Sequence, residues 1–592
     1  MSDKVVRIGG ASGFWGDTAS AAPALVKGGD IGYLVFDYLA EVTMSILAAQ
    51  KVKDANAGYA TDFVHITMKA LLPELQRKGI KVVANAGGVN ALACRDALAK
   101  VAAELGVDLK IGVVLGDDLS ARAGEFRERA LTEMFSGAPF PQRTASINAY
   151  LGALPIAQAL RAGCDVVITG RCVDSAVTLG VLVHEFGWSP TDYDRLAQGT
   201  LAGHLVECGA QCTGGLFTDW ESVPDWDVIG FPIVEARADG SFDITKVAGS
   251  GGLVTPATVA EQMLYEIGDP RAYHVPDVAC DFTGVRFEQA GKDRVRVSGA
   301  KGRPPTATYK VSATFMDGLR NTAFLTIAGE QAAPKARRTG EALFKRIERM
   351  LAEQGLPPFS EKRIEIIGAE DMYGAHARPA SREVVLKLAI KTPSKPAAEL
   401  FAREFAAAGT SMSPGTTGLV GGRPTPTPVI RLYSFLLPKA EVPATLQLGN
   451  RDVAVDVPTG GGFDAGGLGP ALRYSKTPAI EGFSSVPLIR LAHGRSGDKG
   501  DKANIGILAR KPEYLPLLNQ WLTPQRVAEH FKHNMPSRVE RFDLPGSNAM
   551  NFLLHDVLGG GGMASLRTDN LAKCFAQVLL SMDVPVPDDI SL

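Results

Sequence analysis

The chain has 592 residues, 45% hydrophobic and 21% charged, with 62 basic and 64 acidic side chains for a formal net charge of −2. That length excludes a single hydrophobic core and suggests roughly three to four domains, and the composition is that of a folded globular protein rather than a disordered one. Near-neutral charge removes any global electrostatic case for nucleic acid or an anionic membrane as the main partner.

The first residues, "MSDKVVRIGGASGFWGD", have no apolar h-region, and no window holds about 18 uninterrupted apolar residues. Neither a secretory signal nor a membrane span is expected. Of the seven cysteines only Cys208 and Cys212 lie close together. With no second pair or nearby histidines, they predict no metal site. A cytoplasmic protein with reduced thiols is the expectation. A homo-oligomer is expected because large α/β enzymes are commonly symmetric assemblies.

Over residues 1–220 one theme repeats. The apolar runs 5–10, 31–39, 80–88, 109–118 and 164–174 end in small or acidic residues. Amphipathic stretches such as "TDFVHITMKALLPELQRKG" follow, each stopped by a glycine. Strands apolar on both faces alternating with helices predict a doubly wound α/β domain with a mostly parallel sheet. From 221 to 450, alternating segments such as "DRVRVSG" and "ATYKVSATF" predict antiparallel strands, and "EALFKRIERMLAEQG" a surface helix, giving an α+β region. Residues 451–485 are Gly-rich and read as a linker. Residues 486–592 read as a small strand–strand–helix domain.

In an open parallel sheet, ligands bind beyond the carboxyl ends of the strands. Those ends carry Ser12, Asp37, Asn85, Asn90, Asp117, Arg171, Asp174 and Ser175. Asp37, Asn85, Asp117, Arg171 and Asp174 are the candidate catalytic groups; Ser12, Asn90 and Ser175 are candidate binding groups. The competing reading is that Asp, Asn and Ser at these positions only cap helices. "GGASGFWGD" after the first strand departs from the G-x-G-x-x-G dinucleotide fingerprint, although Asp37 ends the second strand where a ribose contact would be expected.

"HGRSGDKGDKANIG" (493–506) interleaves glycines with Arg495, Lys499 and Lys502. A loop of this kind can turn consecutive amides toward an anion, so the three cations are candidate anion ligands. The alternative is an exposed turn in which Asp498 and Asp501 neutralise the lysines.

"GGASGFWGD", "ANAGGVNA", "VVITGRCVDSA" and "GRSGDKGDKANIG" together resemble the AtuA family of acyclic terpene utilisation proteins. The resemblance covers about 1–450 as the core and the region from about 486 as a ferredoxin-fold domain. It implies an enzyme of branched-chain or terpenoid acyl-CoA breakdown, a hydratase or lyase with a coenzyme A thioester as substrate and no tightly bound cofactor. It carries no residue roles. On the residues alone, Asp37, Asp117 or Asp174 would supply acid–base groups, Asn85 or Arg171 would polarise a carbonyl, and 493–506 would hold CoA phosphates or a substrate carboxylate. A non-catalytic partner of a carboxylase or dehydrogenase system is the alternative, and an NAD(P)-dependent oxidoreductase the third reading.

Overall fold

The computed structural model describes residues 4–379, 381–419, 421–468, 483–588 and 590. The five expected runs form strands β1 (Val5–Gly10), β2 (Tyr33–Phe36), β3 (Lys81–Ala84), β4 (Ile111–Leu115) and β5 (Val166–Thr169). They pair parallel in the order β1-β2-β3-β5-β4. β2 and β5 are buried at every position, as strands covered by helices on both faces must be.

The expected division at 220 is not a sheet boundary. Pro232–Arg237 pairs antiparallel with β1, and Phe242–Lys246, Arg294–Ser298 and Arg286–Gly291 continue outward from it. On the other side Thr445–Leu448 pairs antiparallel with β4, followed by Arg451–Ala454. One mixed sheet of eleven strands results. Residues 451–454 of the expected linker therefore belong to this sheet, whereas 469–482 lie outside the described residues.

A second, six-stranded sheet is built on the long strand Thr308–Ala328. The helix Ala332–Glu353 lays Leu343, Ile347 and Leu351 on one of its faces, a four-residue spacing that keeps them in one stripe. Ser146–Ala149 joins this sheet from within the first 220 residues, so the two sheets are interlocked through the chain.

The C-terminal domain is a four-stranded antiparallel sheet with its own core, including Tyr514, Phe531 and Phe552. Here the expectation of a loop at 493–506 is corrected. The stretch is a hairpin of strands β6 (Ala492–Lys499) and β7 (Lys502–Ala509), paired from Ala492↔Ala509 to Lys499↔Lys502. Only Gly500 and Asp501 form the turn, with Gly500 at φ +67. Among the described residues no helix is long and apolar enough to cross a membrane.

Candidate functional site

The rim beyond β1–β3 is tied together by side chains reaching from one strand end to the next. Ser12 Oγ donates to the Asp37 carbonyl at 3.0 Å. Asn85 Oδ1 accepts from the Tyr38 amide at 2.7 Å while its Nδ2 donates to the Asp37 carboxyl. All three residues are buried. Burial pushes the Asp37 carboxyl well above the usual range, helped by the charges of Asp174 and Glu207, against the pull of Arg171 and Asn85.

Beyond β5 the arrangement has two layers. Asp117 lies under Gly170, where a Cβ would come within 2.5 Å of its carboxylate. It accepts from the Arg171 amide at 2.8 Å and from Asn148 at 2.9 Å, and burial pushes it up to about 7. Asp117 thus holds the loop from behind rather than facing a ligand. In front of it the Arg171 guanidinium donates to Asp174 at 2.7 Å and to the Cys172 carbonyl at 3.0 Å, and lies 4.2 Å above the Tyr150 ring.

Three further groups that strand-end reasoning missed complete the site. The helix α1 (Tyr193–Val206) runs so close to β1 that a Cβ on Gly10 would meet the Val206 carbonyl at 2.6 Å. A Cβ on Gly13 would meet Cys208 at 2.8 Å. These glycines bring the end of α1, and with it Glu207, to the rim. The close approach that a dinucleotide pyrophosphate would need is taken by the chain itself, so the oxidoreductase reading loses its loop. Glu207 Oε1 pairs with His204 Nδ1 at 3.0 Å, and His204 Nε2 lies 3.2 Å from the Met263 carbonyl. Glu207 Oε2 is removed from solvent with no hydrogen-bond partner among the described residues. Burial pushes Glu207 up, opposed by His204 and reinforced by Asp174.

Glu266 follows the helix α2 (Pro256–Leu264) at φ +56, a turn fixed by Asn504 of β7, whose Oδ1 accepts the Glu266 amide at 2.8 Å. Its carboxylate faces Lys499 at 3.8 Å and Lys573 at 3.2 Å. Tyr273 is the third group, close enough to act electrostatically on Lys499. Burial works against the Lys499 ammonium, but Glu266, Tyr273, Asp174 and Glu207 outweigh it and raise it. The Lys499 side chain is nevertheless 45% accessible and Asp174 35%.

Asp37, Arg171, Asp174 and Lys499 thus converge, joined by Glu207 and Glu266. The other expected ligands do not. Asn90 spends its amide on the Ala55 and Ala57 carbonyls at 2.8 and 2.7 Å. Ser175 packs under Gly203 with its hydroxyl sealed from solvent. Neither side chain makes a helix-capping bond. Arg495 is buried, donating to Gln211 and to the Leu216 carbonyl at 3.2 Å, and so docks the hairpin rather than an anion. Lys502 lies 4.3 Å over the Phe135 ring. The proposed amide nest is absent because 493–499 is strand, and Gly497 lies against Tyr265 and Glu266, where a Cβ would come within 2.6–2.7 Å. No group of three or more His, Cys, Asp or Glu among the described residues is arranged to hold a metal ion.

Comparison with known families matches residues 6–448 to the acyclic terpene utilisation family protein AtuA and residues 486–585 to the AtuA ferredoxin-like domain. No curated protein and no solved structure matches.

Proposed function

Because this chain belongs to the AtuA family, we propose that its cleft catalyses proton transfer on a branched or carboxylated acyl-CoA thioester, as a hydratase or lyase. The observation that carries the reading is that Asp37 and Glu207, two carboxyls raised by burial, act on one another and that Glu207 also acts on the partly accessible ammonium of Lys499. Carboxyls raised toward the working pH are suited to general acid–base catalysis.

In the hydration direction, Glu207 in its ionised form takes a proton from water as the oxygen bonds to the β-carbon of the conjugated thioester. The double-bond electrons move onto the carbonyl oxygen, where the fixed positive charge of Lys499 stabilises the enolate. Asp37 then delivers its proton to the α-carbon, and one proton passing from Glu207 to Asp37 resets the pair. Elimination is the reverse. Arg171 holds Asp174 in place at 2.7 Å, and the charge of Asp174 adds to the burial that raises Asp37.

The gathering of ionisable groups at the strand ends favours an enzyme over a non-catalytic partner. The test is turnover of conjugated branched enoyl-CoAs, followed by loss of enoyl absorbance. Asp37→Asn and Glu207→Gln should each lower kcat about 10²-fold or more. Unchanged turnover in both variants, or none in the parent across enoyl- and 3-hydroxyacyl-CoAs, would sink the reading.

A further inference from the structure

Where the C-terminal domain meets the second sheet, the segment Gly559–Gly562 runs through four consecutive positive φ angles, +68, +89, +75 and +42. Asp501 of the β6–β7 turn organises this segment. Its Oδ1 accepts the Leu558 amide at 2.9 Å, and the Gly560 amide also donates to it. Gly561 is pressed against the Gly500 carbonyl, whereas Gly559 and Gly560 are exposed.

Three arginines surround the exposed pair. A Cβ on Gly559 would lie 3.8 Å from Arg567 Nε, and one on Gly560 would lie 3.3 Å from Arg431 Nη2. Arg320 donates to the Met563 carbonyl at 3.2 Å. Arg431 is matched by Asp317 at 3.1 Å. Among the described residues the other two guanidiniums have no ion-pair partner. Arg320 is half-buried and its one hydrogen-bond partner among the described residues is that carbonyl. Arg567 is half-buried, its Nε is sealed from solvent with no hydrogen-bond partner among the described residues, and Arg363 opposes its charge through space while Glu365, Asp501 and Glu361 favour it. Glu365 is already bound at 2.7–2.8 Å by Lys387, Arg363 and Thr568. Withdrawing guanidinium N–H groups from water without an acceptor is costly, so a site of this kind is completed by an anion.

We propose that the concavity floored by Gly559 and Gly560 and walled by Arg567, Arg431 and Arg320 binds a phosphate or diphosphate group. Glycine backbone without Cβ admits oxygen atoms to close range, and guanidinium forks match the geometry of a phosphate. The site is one hairpin turn from Lys499, so its ligand is either the phosphate-bearing tail of a molecule reaching the cleft or a free diphosphate. The inference stands on the arginines and does not require the thioester reading.

Thermal shift and calorimetric titration of the full chain with inorganic pyrophosphate at low ionic strength test it. The parent should be stabilised, and Arg567→Gln and Arg320→Gln should each weaken binding at least about fivefold, with Arg567→Lys between. If Arg567→Gln does not fold, Arg431→Gln on the exposed rim gives the same reading. Coenzyme A competing with pyrophosphate identifies a substrate tail; pyrophosphate binding without that competition identifies a free diphosphate, and either supports the site. No pyrophosphate binding by the parent, or equal affinity in all variants, overturns it. Where coenzyme A does compete, turnover of acyl-CoA with a KM unmoved by Arg567→Gln would overturn the phosphate site alone, leaving the cleft chemistry intact.

Discussion

Two buried acids away from the reacting groups give this protein an unusual pH response. Asp117 and Glu261 are each pushed up to about 7, first by burial, although hydrogen bonds from Arg171 and Asn148 and from Thr218 pull the other way. In the unfolded chain both ionise near pH 4. Between about pH 4 and 7 the folded state therefore holds protons that the unfolded state has released, and stability falls as pH rises. We expect the urea midpoint to be lower at pH 8 than at pH 5. Asp117→Asn and Glu261→Gln, which retain an acceptor oxygen, should each flatten that difference; a midpoint that rises with pH would contradict the assignment. Asp37, Asn85, Arg171 and Asp174 were legible in the sequence because parallel-sheet sites gather at strand ends. Glu207, Glu266 and Tyr273 were not, because they follow helices or lie in a later segment and only tertiary packing brings them in. The one local hint was the three-residue spacing from His204 in the last turn of α1 to Glu207 at its C-cap, which puts both on one side of the helix end.

At the scale of elements, the hairpin β6–β7 is where sequence reasoning and structure diverge most. Its glycines were read as loop residues. They are strand positions at which neighbours approach closely: a Cβ on Gly506 would come within 2.3 Å of Leu264, and one on Gly497 within 2.6 Å of Tyr265. Glycine inside a strand marks such approaches, but glycine interleaved with charge resembles a turn until the partner helix is known. Gly497→Ala should therefore destabilise by about 1–3 kcal/mol through overpacking and displace Glu266, lowering activity beyond the stability loss. Asn504 is a second lock. It bonds the Glu266 amide, the Leu264 carbonyl at 2.7 Å and Asn551 at 2.9 Å, while Asn551 bonds the Ile267 and Gly268 carbonyls. Asn504→Ala should cost about 1–3 kcal/mol for each group left unsatisfied, read as a lower urea midpoint. An unchanged midpoint with unchanged activity would mean the turn holds Glu266 without this support.

For the whole molecule, the five parallel strands were readable because each is a buried apolar run, whereas the antiparallel extensions and the interlocking of Ser146–Ala149 depend on pairings distant in sequence. The C-terminal domain is bound to the core by Arg510 and His493 on Asp219, by Thr218 on Gly494 and by Arg495 on Gln211 and Leu216. Native-state hydrogen exchange should accordingly show β7 and β5 amides opening with the same free energy. Opening of β7 at distinctly lower free energy would mean that the domain detaches alone. The position of Lys499 at the end of β6 also has a consequence for synthesis. The ribosome delivers Asp37, Asp174, Glu207 and Glu266 first, at about 5–20 residues per second, and the nascent core then holds Arg171 beside Asp174 and His204 beside Glu207 but neither lysine that faces Glu266. The Lys499 ammonium arrives only when the hairpin emerges and docks. An interrupted or truncated product therefore carries the acids without the cation, and the competent site comes into being only near the end of translation.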